Sequence, residues 1–225
     1  MIADTFFNLD ILVAAWPILW RGLLVTVGLS VVVVPLGFAG GLALALLSTV
    51  RSRWVRAVLV AWVDLFRAFP PLVLLILLYA GLPFAGLHLD AFTCVAVGFF
   101  LNTGAYYAEV LRAGLLSVPQ GLAEAGRSTG LTAMQTLRYV VLPPAVRNVL
   151  PDLLSNTLEV VKLTSLASVV ALPELLFQAR QAQSVTYNAT PIVAAAAIYF
   201  LLLWPLVRLM SRLENQATWR AAGTS

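Results

Sequence analysis

Three sets of polar side chains interrupt the apolar runs of this sequence, and each is spaced to act as a unit. Asn156, Glu159, Lys162 and Ser165 step by three, so they fall on one face of a helix, with Thr164 beside them. Lys162 is the only lysine of the chain and lies inside an apolar segment. An ammonium group there needs a partner, and Glu159 is three residues away. Two readings follow. One is an internal salt bridge that fixes packing between spans. The other is a solute-facing stripe offering both signs of charge, as a zwitterion would require: a cation for its carboxylate and an anion for its ammonium. The stripe carries more polar groups than one ion pair needs. Asp64 with Arg67, and Glu109 with Arg112, are also three apart and read as structural ion pairs.

None of these groups is catalytic machinery. The sequence has one histidine, His88, and one cysteine, Cys94, which leaves no histidine pair, no serine–histidine set, no disulfide framework and no thiolate metal site. The phosphate-binding Gly-x-x-x-x-Gly-Lys-Ser/Thr pattern is missing, since Lys162 is followed by Leu163. No cofactor is expected on this chain, and any nucleotide chemistry belongs to another one.

The elements that position these groups are membrane helices. The chain has 225 residues, 61% of them hydrophobic and 11% charged, against about 25% charged in a soluble domain. Apolar runs long enough to cross a bilayer, about 20 residues each, fall at about 22–47, 54–82, 91–116, 148–172 and 191–210. The expected fold is an all-α membrane protein with about five transmembrane helices. Residues 1–20 precede the first span. Their tryptophans and acidic residues suit a helix in the headgroup layer or the ragged start of that span. No positively charged region precedes an apolar core there, so no cleaved signal peptide is expected. Gly22, Gly28, Gly37, Gly40 and Gly41 should let one face of the first span pack closely, and Pro35 should kink it. Pro70 and Pro71 should break the second span. The outer segment from Pro173 to Thr190 is rich in glutamine and suits a short helix that meets a partner.

The net charge of +4 comes from arginines that flank apolar runs, which indicates topology rather than nucleic-acid binding. Arg51, Arg53, Arg56, Arg112, Arg127, Arg138, Arg147, Arg208, Arg212 and Arg220 fall on one side, with only Arg21 and Arg180 on the other. The positive-inside rule puts the larger group in the cytoplasm, which gives an outer N-terminus, an inner C-terminus and a cytoplasmic tail over 213–225.

Between the third and fourth spans lies a polar block, Glu124 to Pro143, in a connecting segment over 117–144. Gly130 interrupts it, and glycine is costly inside a helix but suited to a bend. A short helix to Thr129, a bend, and a second helix from Thr132 ended by Leu142-Pro143-Pro144 would make a helix–glycine–helix elbow. An ordinary polar loop is the alternative reading.

The spacing Glu124-Ala125-Gly126, Gly130, Val140, Leu142-Pro143 resembles the EAA loop of permease subunits of bacterial ABC importers, with Gly126 where alanine is usual and Val140 where isoleucine is usual. Gly104 to Gly114 resembles the Gly-Ala-Tyr-x-x-Glu-x-x-Arg-Gly signature of that family's polar amino acid branch. Lys162-Leu163-Thr164-Ser165-Leu166 resembles its Lys-Asp-Thr-Ser-Leu motif, with Leu163 in place of the usual aspartate. The resemblance covers about Gly22 to Met210. It implies the type I importer permease fold, with Glu124, Ala125, Gly126, Gly130, Leu142 and Pro143 coupling to an ATPase. It also implies that Asn156, Glu159, Lys162, Thr164 and Ser165 line the substrate pathway. The implied partners are an ATP-binding cassette ATPase dimer carrying ATP and magnesium, and a second permease subunit, identical or paralogous. An extracytoplasmic substrate-binding protein and membrane lipid complete the set. A stand-alone secondary transporter or channel would use Glu159 and Lys162 as ion-coupling groups. Against it, the spans show no evident inverted repeat.

Overall fold

Hydrocarbon offers backbone donors and acceptors no partner, so a crossing chain must pair them internally. In the computed structural model, every regular element among the described residues is a helix. Residues 2–50 and 52–222 are described, with side chains over 4–50 and 52–212. The expectations for Arg51, for the Arg220 side chain and for residues 223–225 lie outside them. The elements are α1 (Ile2–Phe6), α2 (Leu9–Leu47), α3 (Arg53–Ala68), α4 (Pro71–Ile76), α5 (Ala91–Leu116), α6 (Gln120–Ser128), α7 (Ala133–Gln135), α8 (Leu142–Asn148), α9 (Leu150–Leu163), α10 (Leu175–Thr186) and α11 (Thr190–Ala222). A π-helical turn and a 3-10 turn extend α4 to Ala85, a π-helical stretch over Thr136–Val141 joins α7 to α8, and a 3-10 turn over Thr164–Val170 follows α9. Among the described residues, four stretches are long and apolar enough to cross a membrane: Asp4–Leu47, Ala91–Leu116, Leu150–Val170 and Thr190–Arg212. Arg53–Ala68 with Pro71–Ala85 makes a fifth if the two pieces count as one span.

The described residues form two compact units. One takes its helices from the stretch up to Val34, from Pro70–Phe99 and from Leu158 onward, and the other from Pro35–Phe69 and Phe100–Thr157. In the first, Leu29, Val33, Leu75, Val95, Phe99 and Val160 form one apolar core. A second core joins Ala15 and Leu19 of α2 to Leu175, Ala179, Ala182 and Ala195. In the other unit, Ala45, Tyr107, Leu111, Val149 and Leu153 pack together.

Residues 9–20 are continuous with the first span. α2 starts at Leu9, capped by the Asn8 side chain, and runs unbroken past Pro35. Leu19 is fully buried. α1 is tied to the α10–α11 turn, where the Ala189 N–H donates to the Thr5 carbonyl (3.0 Å) and Asn188 Nδ2 to the Asp4 carbonyl (2.8 Å). The expected small-residue face is also narrower. A methyl group on Gly41 would meet the Ala108 nitrogen at 2.8 Å, whereas one on Gly28 meets nothing within 4 Å.

The break after α3 has a specific repair. Helical geometry assigns the Phe66 and Arg67 carbonyls to the N–H groups of residues 70 and 71, and both are prolines with no N–H to give. Phe69 is accordingly extended, at φ −78° and ψ 123°. α5 supplies the missing donors: Asn102 Nδ2 donates to the Phe66 carbonyl at 2.8 Å, and the Tyr106 hydroxyl to the Arg67 carbonyl at 3.3 Å. Asn102 is almost fully buried. Removing its amide should leave a buried carbonyl bare, at a cost of about 1–3 kcal/mol. Asn102→Ala is therefore expected to lower the melting temperature of the purified protein. Adding Pro70→Ala, which restores a backbone donor for Phe66, should recover part of the loss.

Candidate functional site

The polar stripe is only partly a single surface. Lys162 Nζ lies 3.2 Å from Glu159 Oε2, and these side chains are 52% and 59% exposed. Ser165 keeps their row because the chain tightens into a 3-10 turn at Thr164, in which residues three apart eclipse. Its hydroxyl donates to the Lys162 carbonyl at 2.8 Å. Lys162 and Ser165 line a cleft of about 320 Å³ with Leu176, Ile192, Ala195, Ala196, Tyr199 and Leu203. An ion pair that served only to lock packing would be shielded by its neighbours, and this one is open. Thr164, expected in the same set, is fully buried and donates to the Val161 carbonyl at 2.7 Å. It faces the packing side because it is out of step with the three-residue row. Asn156 belongs to the other unit, where its Nδ2 is buried without a hydrogen-bond partner.

A polar group behind the Tyr199 wall of this cleft was not anticipated. Glu174 is fully buried just ahead of α10. It caps that helix, accepting from the Phe177 N–H at 2.6 Å and the Leu176 N–H at 2.9 Å, and it accepts from the Tyr199 hydroxyl at 2.8 Å. Burial pushes its carboxyl above the ordinary 4.5, and the two backbone donors and Tyr199 oppose that only in part. The sequence signal was faint: one carboxylate just before an apolar turn, where glutamate is not among the favoured caps.

In the other unit, Glu109 holds Arg112 with two contacts, Nη2 to Oε1 at 2.6 Å and Nε to Oε2 at 3.0 Å. The expected Asp64–Arg67 pair is replaced. Arg67 turns across to Glu109 (3.8 Å) and lies over the Tyr106 ring at 5.6 Å. Tyr106 is already placed there by its bond to the Arg67 carbonyl, which draws the guanidinium toward α5. Asp64 lines a neighbouring cavity of about 200 Å³ with Glu109 and Arg112.

The polar block does form an elbow. α6 ends at Ser128, Gly130 takes φ +88°, and Thr132 caps α7 in a reciprocal box with Gln135. Glu124 and Ala125 are exposed. Gly126 is buried, and a methyl group there would stand 3.1 Å from Thr136 Cγ2 and 3.2 Å from Val140 Cγ2. Those two β-branched residues explain why the smaller glycine suits this position. Leu142-Pro143-Pro144 does not end the second helix. The prolines occupy the first turn of α8, where a missing N–H is tolerated, and the wide π-helical turn before them accommodates their rings. At the elbow base, Asn148 Nδ2 donates to Ser117 Oγ at 2.9 Å.

An open cleft, an exposed ion pair at its edge and an elbow on a helical membrane scaffold describe a transport component. The comparisons agree. A family model described as binding-protein-dependent transport system inner membrane component matches residues 34–218, and the chain belongs to that family. It is 34% identical over 209 residues to the glutamine transport system permease protein GlnP of Escherichia coli (strain K12), covering 90% of this chain and 94% of that one. It is 35% identical over 206 residues to the L-cystine transport system permease protein TcyB of Bacillus subtilis (strain 168), covering 89% and 87%. A crystal structure of an amino acid ABC transporter with histidines superposes with TM-score 0.83 at 34% identity, over 91% of this chain and 96% of that one. The methionine ABC transporter MetNI, in an inward-facing form, shares the fold at TM-score 0.75 and 22% identity, over 89% and 96%. The fold is that of type I ABC importer permeases, and the protein is an inner-membrane permease.

Glu174 gives the site a pH signature. Because its carboxyl is raised in the folded state, the fold favours the protonated form. That contribution to stability is complete below the ordinary value of 4.5 and is lost as pH climbs through the raised value. Glu174→Gln, which mimics the protonated form, lacks this dependence. The melting temperature of the wild type relative to Glu174→Gln is expected to fall as pH rises from the ordinary carboxylate value of 4.5 through the raised one.

Proposed function

We propose that this permease forms half of the pathway of an ATP-driven importer for a polar amino acid, working beside a second permease subunit, identical or paralogous. Lys162 and Glu159 present a cation and an anion to the solute, and Ser165 adds a hydroxyl at the same cleft. The observation that carries this reading is the openness of the Lys162–Glu159 pair, 3.2 Å apart and more than half exposed on both sides. Such a pair can exchange its internal contact for the carboxylate and ammonium of a zwitterion. Relatives named for glutamine and L-cystine, both α-amino acids, support that solute class. With leucine at 163, the cleft lacks one negative group of the family motif, which disfavours a cationic side chain.

Energy enters through the elbow. Glu124, Ala125, Gly126, Gly130, Leu142 and Pro143 shape a projection whose exposed Met134 and Tyr139 offer apolar surface to an ATPase subunit. ATP and magnesium belong to that ATPase. The concentration of arginines supports a cytoplasmic elbow and C-terminus, with the N-terminus and α10 outside facing a substrate-binding protein. Closure of the ATPase pair draws the elbows together and turns the cleft outward to take up solute, and the inward-facing cleft must hold that solute less tightly to release it, since a ligand shifts an equilibrium only by its differential affinity.

The test is uptake into proteoliposomes holding the purified complex, its binding protein and internal ATP, with radiolabelled L-glutamine, L-cystine and L-histidine as a panel. Uptake of at least one is expected, falling by tenfold or more in Lys162→Gln. Gly130→Val, which forces a β-branched residue to positive φ, is expected to insert normally and lose uptake. ATP-independent uptake that survives both substitutions would overturn the reading in favour of a secondary carrier.

A further inference from the structure

Glu174 does more than cap a helix. Four elements of one unit bring polar groups to a single dry point. Tyr199 of α11 donates to Glu174 Oε2 at 2.8 Å. Thr26 of α2 and Thr164 of the 3-10 turn lie beside the same phenol, and the Thr164 hydroxyl itself donates to the Val161 carbonyl. Thr26 Oγ1 also accepts from the Leu175 N–H at 3.1 Å and donates to the Gly22 carbonyl at 3.1 Å. Thr26, Thr164 and Glu174 are each fully buried. The approach of α2 is close: a methyl group on Gly22 would stand 2.9 Å from the Leu175 Cα and 3.0 Å from the Glu174 carbonyl oxygen. A dry polar cluster is costly unless satisfied, and when satisfied it fixes one arrangement. Here that arrangement borders the cleft, because Tyr199 forms part of its wall and Thr164, which opens the 3-10 turn, directly precedes Ser165.

We propose that Glu174 is a positioning residue for solute passage, acting through Tyr199 and Thr164 to hold the Lys162–Ser165 turn in register with the cleft. This rests on the reading above that Lys162 and Ser165 meet the solute. Glu174 touches neither. Its role is to keep the Tyr199 hydroxyl pointed away from the cleft and toward the cluster, so that the ring alone lines the wall. Loss of the carboxylate frees the phenol to swing and lets the turn shift. Protonation weakens the same hold, because a carboxylic acid accepts less strongly than a carboxylate. The charged or titratable groups acting on Glu174 are Tyr199 from α11 and Arg180 from α10 itself.

The experiment uses the whole purified complex carrying Glu174→Gln or Tyr199→Phe. Both changes nearly preserve shape, and either one keeps the test alive if the other misfolds. Two readouts are taken on each. The first is the maleimide reactivity of a cysteine placed at Ser165 in a Cys94→Ala background, which reports the turn without any solute. The second is equilibrium binding of radiolabelled L-glutamine, L-cystine and L-histidine in the absence of the binding protein. Both variants are expected to change labelling several-fold and to weaken binding by about tenfold, the size of one hydrogen bond to a charged group. The wild type is expected to lose affinity on acidification through the raised Glu174 range, and Glu174→Gln to lose that dependence. Labelling indistinguishable from the wild type in both variants would overturn the proposal. Altered labelling with no binding of any panel solute by the wild type would support the positioning role while removing the solute reading it serves.

Discussion

A backbone carbonyl with no donor is the constraint on which this structure turns. Within an apolar slab each such group costs several kcal/mol, and a proline creates the problem each time it enters a span. Pro70 and Pro71 strip donors from Phe66 and Arg67, and α5 answers with Asn102 and Tyr106. Pro143 and Pro144 enter a helix only because a π-helical turn precedes them. The interruptions are therefore built features with assigned partners. They set where α3 ends and how the second arm of the elbow runs.

The same reasoning applies to charge. Glu109 gathers Arg112 and Arg67, and Glu174 is surrounded by donors. Each of these carboxylates is spoken for by its own neighbourhood. Glu159 and Lys162 stand apart, since their only mutual satisfaction is a single open contact. Glu109 and Glu174 hold the frame, whereas the Glu159–Lys162 pair stays open.

Much of this was legible in the sequence. The apolar runs gave the helical membrane class, and Gly130 marked the elbow because only a residue tolerant of positive φ serves there. The i,i+3 spacing placed Glu159 with Lys162 and Glu109 with Arg112. Spacing failed where partners come from other helices. Arg67 sits three residues from Asp64 yet turns to Glu109, a choice made by Tyr106 on α5. Glu174 and Tyr199 are 25 residues apart, and no periodicity links them. The start of α2 stayed open between two readings in the sequence, because the packing of Ala15 and Leu19 comes from α10 and α11. Thr164 was grouped with its neighbours by sequence, but the one-residue offset turns it inward.

The central claim is that this chain depends on a separate ATPase engaged through its elbow. The most direct test is isolation of the native complex from membranes in mild detergent, with mass spectrometry of what accompanies the chain. The account predicts an ATP-binding cassette subunit in the wild-type preparation, lost when Gly130 is replaced by valine while the permease remains folded and inserted. A homogeneous protein recovered alone, moving amino acid across vesicles without ATP, would contradict it.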